Sequence, residues 1–203
     1  MSFYNNFTLY DECAPAGVLL PKISIEDKYY KELRIPTKSS NLQFLKKLCS
    51  KNMRKKGFTK KDIAYIDRMK MEISIFEELG FVDYILLNWE VLNFCHENNI
   101  PTGPGRGSAA GSLVLFFLGV TKVDPIKYDL FFERFVSRTR AKKIEKKGVT
   151  YLDGSLLADV DNDIAYDRRG EVIEYIKRKY KGRTCKVLNL VTLSGKLCIK
   201  EVG

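Results

Sequence analysis

The sequence is poor in the residues from which several common catalytic and metal sites are built. Its 203 residues include one histidine, His96, and the five cysteines form no CxxC pair. A zinc site draws several His or Cys ligands from closely spaced positions, so the sequence argues against one. A Ser-His-Asp or Cys-His site would depend on His96, which lies beside an apolar cysteine at a predicted helix end. We therefore expect His96 to be structural or solvated.

Long apolar runs are missing as well. No uninterrupted apolar segment reaches 18 residues, so we expect no membrane-spanning helix. The N-terminus has neither the basic flank nor the apolar core of a signal peptide. Scattered single thiols fit a reducing compartment, and a hydrophobic content of 45% indicates a globular protein. Together these features predict a folded protein of the cytoplasm.

Charge is present in excess, and it is positive. Lys and Arg number 35 against 25 Asp and Glu, which gives a net charge of +10. Such an excess favours a polyanionic partner, although a basic protein without one has the same composition. The run Arg138–Lys147 is the densest basic stretch. A solvated loop is its ordinary interpretation, and a contact with nucleic acid is the alternative.

The stretch "GPGRGSAAGS", residues 103–112, has the chemistry of a phosphate site. Glycines leave backbone N–H groups open to close approach, and a predicted helix beginning near Ser108 would add oriented donors. Arg106 adds a full positive charge. Gly105, Gly107 and Ala110 formally match the dinucleotide-binding pattern GxGxxA, but the preceding strand and the later acid are missing. The P-loop fails, because no GK[ST] follows. A glycine turn that merely packs a helix remains the alternative.

The stretch "LADVDNDI", residues 157–164, places acids at every second position: Asp159, Asp161 and Asp163. In a strand, all three carboxylates point to one face. Crowded carboxylates repel, so a cation is expected to compensate them. An EF-hand loop is excluded, because Ile164 replaces the required glycine and Gly170 stands where Glu is needed. A solvated acidic turn remains open.

The two motifs reinforce each other chemically. A phosphate cradle beside carboxylates is what metal-assisted phosphoryl or nucleotidyl transfer requires. Mg²⁺ prefers oxygen ligands and leaves part of its shell to water and substrate phosphates. Two such ions, ~3.5–4 Å apart, can activate an attacking hydroxyl and stabilise a leaving group. The sequence therefore predicts Mg²⁺ as the cofactor.

Long collinear stretches also resemble a known family. "IPTGPGRGSAAGSLVLFFLGVTKVDPIKYDLFFERF" (100–135), "DVDNDIAYDRRGEVIEYIKRKY" (159–180) and "LVTLSGKLCIKEVG" (190–203) resemble the C-family bacterial replicative DNA polymerases, the alpha subunit of DNA polymerase III. The resemblance starts near Asp67 and covers at least two thirds of the chain. It implies a DNA-directed DNA polymerase acting in DNA replication.

The resemblance also implies a fold. The expected class is α+β, a polymerase β-like nucleotidyltransferase palm in which a small mixed sheet packs against several helices. Residues 1–57 would form an N-terminal lead-in to the palm, and residues 58–203 a partial palm core. This core would lack the last palm strand and the fingers, and the family's N-terminal phosphoesterase-like domain is absent.

Site residues follow from the resemblance position by position. Arg106, Gly107 and Ser108 match the element that contacts the triphosphate of the incoming nucleotide. Asp161 and Asp163 match the catalytic acids that hold the metals, whereas Asp159 matches an acid that is not counted as a ligand. The remaining match is a basic pair that contacts phosphate or DNA, Arg168 and Arg169.

The sequence departs from the family pattern at several positions, and these departures bear on the expected function. The family has Pro at Ala158 and an apolar residue at Asn162, and its connection at residues 138–157 is shorter. Its third catalytic aspartate follows the last matched residue. We therefore expect a split or phage-encoded fragment in a bacterial or phage-infected cytoplasm. Its partners would be primer–template DNA, deoxynucleoside triphosphates and a companion polypeptide; the alternative is an inactive palm-like module that binds DNA or a replisome protein.

Overall fold

The described part of the chain consists of residues 22–137, 143–146, 149–152 and 158–185 of a computed structural model. It divides into two units, Met1–Arg168 and Arg169–Gly203. The second unit contains one described helix, α6, at Arg169–Lys179. The first unit contains the glycine-rich and acidic segments, and its helices position both of them.

Capping residues account for where helices of the first unit begin and end. They are α1 (Asp27–Leu33), α2 (Asn41–Lys55), α3 (Ile63–Leu79), α4 (Val82–Glu97) and α5 (Leu113–Leu118). The capping-box pattern from Ser40 to Gln43 predicts the start of α2, and this is confirmed: the Ser40 side chain accepts a hydrogen bond from the Gln43 N–H at 3.3 Å. Gly80, after a run of helically spaced apolar residues, predicts the end of α3, and this is also confirmed: it takes a left-handed φ of 76°.

The core of this unit surrounds α5. Helices α2, α3 and α4 all contact this short helix, whose sequence "LVLFFL" carries no charge. An apolar surface on nearly all sides is typical of a helix enclosed by others. Rings from the surrounding helices fill the space: Phe44 packs against Trp89 at 5.4 Å between ring centroids, and Phe76 against Phe132 at 5.5 Å. The glycine-rich segment is thus attached directly to the centre of the core.

The stretch 108–118, which the sequence predicts as one helix, is divided into two shorter helices in the structure. Residues Gly107–Gly111 form a 3-10 helix, and α5 starts only after Ser112. Ser112 has extended backbone angles, and its side chain accepts a hydrogen bond from the Leu115 N–H. The predicted α-helical N-terminus near Ser108 is therefore wrong: the α-helix starts at Leu113, after the cap at Ser112.

The predicted α+β palm with a mixed sheet is not what the described residues form. They are mainly helical, and their β-structure consists of an antiparallel hairpin, β1 (Lys143–Lys146) with β2 (Val149–Leu152), and one isolated antiparallel bridge, Thr102 to Ile164. The acidic segment is extended but pairs only at that bridge. Pro101 has no N–H to donate, so a ladder continued from Thr102 towards Ala165 lacks one of its hydrogen bonds.

Other sequence predictions meet the structure only in part. The boundary placed at residue 57 stays a prediction. Within the described ranges, no helix is long and apolar enough to cross a membrane. Much of the longer connection at 138–157 lies outside the described residues. The β-rich run "CKVLNLVTL" (185–193) predicts a strand, and apart from its first residue it also lies outside them.

Candidate functional site

The glycine-rich and acidic segments meet through their backbones. The Gly103 N–H donates to the Asp163 carbonyl at 2.9 Å, and the Ala165 N–H donates to the Pro101 carbonyl at 3.1 Å. These two bonds frame the bridge between Thr102 and Ile164. Two motifs that are about 50 positions apart in the sequence are therefore fixed side by side.

Gly103 makes the close approach of the two segments possible. A Cβ atom at this position would lie 2.8 Å from the Asp163 Cβ, closer than side-chain carbons approach one another. Glycine is therefore required here for space. Two residues on, Gly105 has a φ of +91°, and a Cβ there would lie 2.9 Å from Thr121 Cγ2.

Side chains alternate along the acidic segment as the sequence predicts for extended backbone. Asp161 and Asp163 remain 43% and 47% exposed. Between them, the Asn162 side chain points inward, and its Nδ2 donates to the side-chain oxygen Oδ1 of Asn88 on α4 at 2.9 Å. Asn162 therefore anchors the segment to the core, while both carboxylates face the same side.

Arg106 joins the two carboxylates. Its Nε lies 3.3 Å from Asp161 Oδ2, and its Nη1 lies 3.6 Å from Asp163 Oδ1. The guanidinium side chain is 63% exposed. The three residues are named here the Arg106 cluster. The turn at Arg106 thus lies close to both acids, although the strand predicted to hold the acids is not formed.

The other predicted site residues have different environments. Gly107 begins the 3-10 helix with a φ of +67°, and a Cβ there would lie 3.8 Å from Asp161 Oδ2. Ser108 is half-buried in the same turn. Arg168 ends the 3-10 turn Tyr166–Arg168 that follows the acidic segment. Arg169 starts α6 and belongs to the second unit.

A buried carboxylate that the sequence analysis missed fixes the far end of the glycine-rich segment. Glu72 on α3 is fully buried and accepts hydrogen bonds from Ser112 Oγ at 2.8 Å and from the Leu113 and Val114 N–H groups at 3.0 Å. Arg68 Nε donates to it at 2.7 Å, while Arg68 Nη2 donates to the Gly111 carbonyl at 3.0 Å. These groups are named here the Glu72 cluster.

The pKa of Glu72 reflects opposing influences. Burial raises the pKa of the carboxyl group, whereas the four donors lower it. Each carboxylate oxygen accepts two hydrogen bonds, so the ionised form has its acceptor sites filled. A single acid among the apolar positions of "MEISIF" was the available sequence signal for this cluster.

Tyr84 and Asn88, both on α4, lie on the core side of the acidic segment. Burial raises the pKa of Tyr84, and the charges of Asp159 and Asp161 raise it further. The Tyr84 hydroxyl therefore lies within the electrostatic reach of the acids. Polar residues inside the otherwise apolar stretch "YILLNWEVLNF" could have indicated that this face of α4 meets a polar site.

The carboxylates fit a magnesium ion in donor chemistry but do not form a full ligand set. Among the residues described, no group of three His, Cys, Asp or Glu side chains is arranged to hold a metal. Asp161 and Asp163 offer oxygen ligands that stay accessible to solvent, and Mg²⁺ commonly keeps water and substrate phosphates in its shell. The residues present thus suit a site that is completed by other ligands.

Comparison with known proteins identifies the family. A model of the "Bacterial DNA polymerase III alpha NTPase domain" matches residues 43–203. DNA polymerase III subunit alpha of Halalkalibacterium halodurans is 36% identical over 173 residues, which are 85% of this chain and 14% of that protein. The Bacillus subtilis subunit is 36% identical over 169 residues, 83% and 14% of the two chains. The Chlamydia trachomatis subunit is 40% identical over 138 residues, 68% and 10%.

These matches define a class, the bacterial replicative polymerases. The chain belongs to the DNA polymerase III alpha family, which confirms the resemblance read from the sequence. It spans only 14% of the length of the Halalkalibacterium and Bacillus relatives. The matched region contains both the Arg106 cluster and the Glu72 cluster.

Proposed function

We propose that the chain contributes the nucleotide-binding part of a DNA-directed DNA polymerase active site. The reaction is in-line attack of a primer 3′-hydroxyl on the α-phosphorus of a deoxynucleoside triphosphate, with pyrophosphate leaving. The observation that carries the proposal is the Arg106 cluster, which joins a cation suited to phosphate with two carboxylates suited to a divalent metal. Membership of the polymerase family supports the same assignment.

Each residue has a distinct role in this proposal. Asp161 and Asp163 hold Mg²⁺, which when bound activates the hydroxyl and stabilises the leaving group. Arg106 binds the triphosphate with its guanidinium group, and Gly107 and Ser108 approach it with backbone and hydroxyl donors. Arg168 and Arg169 contact phosphate or DNA.

Primer extension tests the proposal. Catalysis needs ligands and closing elements beyond those described, so we expect little or no extension by these 203 residues alone. A companion polypeptide that supplies the remaining polymerase parts should restore it. A chimera that carries residues 43–203 within the Bacillus subtilis relative offers the same test in one chain.

Substitutions assign the acids. Asp161→Asn or Asp163→Asn should abolish extension in the complemented system, whereas the matched control Asp159→Asn should leave it within about twofold, because Asp159 has no assigned role. Unchanged extension in both site variants would refute the assignment. Robust extension by the 203 residues alone, lost on those substitutions, would show that the site is complete within them.

DNA binding is tested separately. The net charge of +10 favours release of counterions from the DNA backbone, so affinity for labelled primer–template should fall steeply with added salt. Binding measured at two ionic strengths checks this. No binding even at low salt would favour a protein-interaction module instead.

A further inference from the structure

The positive charge of Arg106 compensates the negative charges of Asp161 and Asp163. Its nitrogen atoms lie 3.3 and 3.6 Å from one oxygen of each carboxylate. The two acids are also the metal ligands of the proposed function. The guanidinium and a divalent metal would therefore place positive charge beside the same oxygen atoms, where like charges repel.

The backbones of the glycine-rich and acidic segments are held together, whereas the Arg106 side chain can move. The bond from Gly103 to Asp163 and the space filled at Gly103 hold the two segments together. The Arg106 side chain is 63% exposed, and its separations exceed those of a tight bidentate pair, which are ~2.7–2.9 Å. Arg106 can thus move off the carboxylates while their positions are kept.

We propose that Arg106 guards the carboxylates against free metal and releases them when it binds a triphosphate. This inference rests on the proposed function and adds an order to it: metal binds weakly alone and strongly together with the nucleotide. A triphosphate attracts Arg106 by its own negative charge and removes the guanidinium from Asp161 and Asp163. Binding of metal and of nucleotide is then positively coupled, and by linkage the coupling is reciprocal.

Arg106→Gln should shift the two affinities in opposite directions, because it removes both the guard over the carboxylates and the contact with phosphate. We expect the full 203-residue chain with this substitution to bind Mn²⁺ alone about tenfold more tightly than the unchanged chain. It should bind fluorescently labelled dATP, added as its manganese complex, about tenfold more weakly; tenfold in either affinity is about 1.4 kcal/mol. Free Mn²⁺ is followed by its electron paramagnetic resonance signal, and dATP by its fluorescence.

Two further variants serve as controls. Arg54→Gln removes an exposed charge from α2 and should change neither affinity by more than about twofold. Arg106→Lys keeps the charge and should keep the weak affinity for Mn²⁺ alone. A tightening in Arg106→Lys equal to that in Arg106→Gln would show that charge is not what excludes the metal, and would overturn the inference.

Failure of the inference can be told from failure of the proposed function. If Asp161→Asn removes Mn²⁺ binding but Arg106→Gln leaves the affinity unchanged or weaker, the guard is refuted and the metal assignment stands. If Arg106→Gln binds no Mn²⁺ at millimolar concentration while primer extension still depends on Asp161, the guard alone is refuted. If neither Asp161→Asn nor Asp163→Asn alters Mn²⁺ binding or extension, both are wrong.

Discussion

Two arginine–carboxylate clusters lie along the glycine-rich segment, and they differ in burial and in geometry. In the Glu72 cluster the carboxylate is fully buried, and its four hydrogen bonds measure 2.7–3.0 Å. In the Arg106 cluster the two carboxylates are 43% and 47% exposed, and the charged atoms lie 3.3 and 3.6 Å apart. One cluster fixes the end of the segment next to α5, and the other lies where the segment meets the acids.

The difference separates stability from function. Removing one member of a buried, fully hydrogen-bonded charge pair leaves an uncompensated charge or donor, which costs about 3–5 kcal/mol. An exposed ion pair contributes only ~0–1 kcal/mol. The Glu72 cluster is therefore needed for the fold, whereas the Arg106 cluster can exchange its partners for ligands at little cost.

The largest expected effect comes from Glu72→Gln. Glutamine keeps the shape but replaces one accepting oxygen with an NH₂ group, which must face donors that already surround the site. We expect the free energy of unfolding to fall by about 3 kcal/mol, measured by urea denaturation. The substitution should also displace the start of α5, and this displacement should weaken nucleotide binding.

Glu77→Gln is the matched control on the same helix. Glu77 is 55% exposed and pairs with Lys46 at 3.8 Å, so its substitution should change stability by less than ~0.5 kcal/mol. Equal effects of the two substitutions would mean that burial does not distinguish the clusters.

The second largest effect is expected from Asn162→Leu, which tests a buried contact in the same acidic segment that carries the two exposed acids. Asn162, between the two exposed acids, is joined to Asn88 at 2.9 Å, and within the described structure its own side-chain oxygen is buried without a hydrogen-bond partner. Asn162→Leu should cost about 1–3 kcal/mol, because it leaves the Asn88 oxygen buried and unpaired.

The double variant Asn88→Leu/Asn162→Leu is the test of that cause. Replacing both partners with apolar groups of similar shape is nearly neutral in other proteins, so the double variant should recover most of the lost stability. Strictly additive losses, measured by the same urea denaturation, would show that the two asparagines are not coupled.

Local signals in the sequence predicted local structure well. The cap at Ser40 and the end of α3 at Gly80 depend on neighbouring residues only, and both are confirmed. The structure also brings the turn at Arg106 close to Asp161 and Asp163, a proximity that the pairing of the two motifs predicts.

Predictions that depended on long-range pairing were less successful. The mixed sheet was inferred from the resemblance, and the alternating acids predicted a strand, yet the acidic segment pairs at one residue, opposite Thr102. The Glu72 cluster was missed because its members come from α3 and from the start of α5, 40 positions apart. Side-chain spacing along one helix cannot reveal such a contact.

A small effect on stability is expected from Arg106→Gln. Because the ion pairs are exposed, the free energy of unfolding should change by less than ~1 kcal/mol, and added salt should reduce the difference further. Urea denaturation at two salt concentrations measures it. A loss as large as that of Glu72→Gln would show that the Arg106 cluster also stabilises the fold.

The smallest effect concerns His96, which lies beside the bridge with its Nε2 3.4 Å from Thr102 Oγ1. Partial burial lowers the pKa of His96 below its ordinary value of 6.5, and the charge of Lys122 lowers it further. The unfolded chain therefore binds a proton more readily, so stability should be retained above pH 6.5 and decline as the pH falls below it. His96→Gln should flatten this decline in unfolding measured from pH 7.5 to 5. An unchanged pH profile in His96→Gln would assign the dependence to other groups.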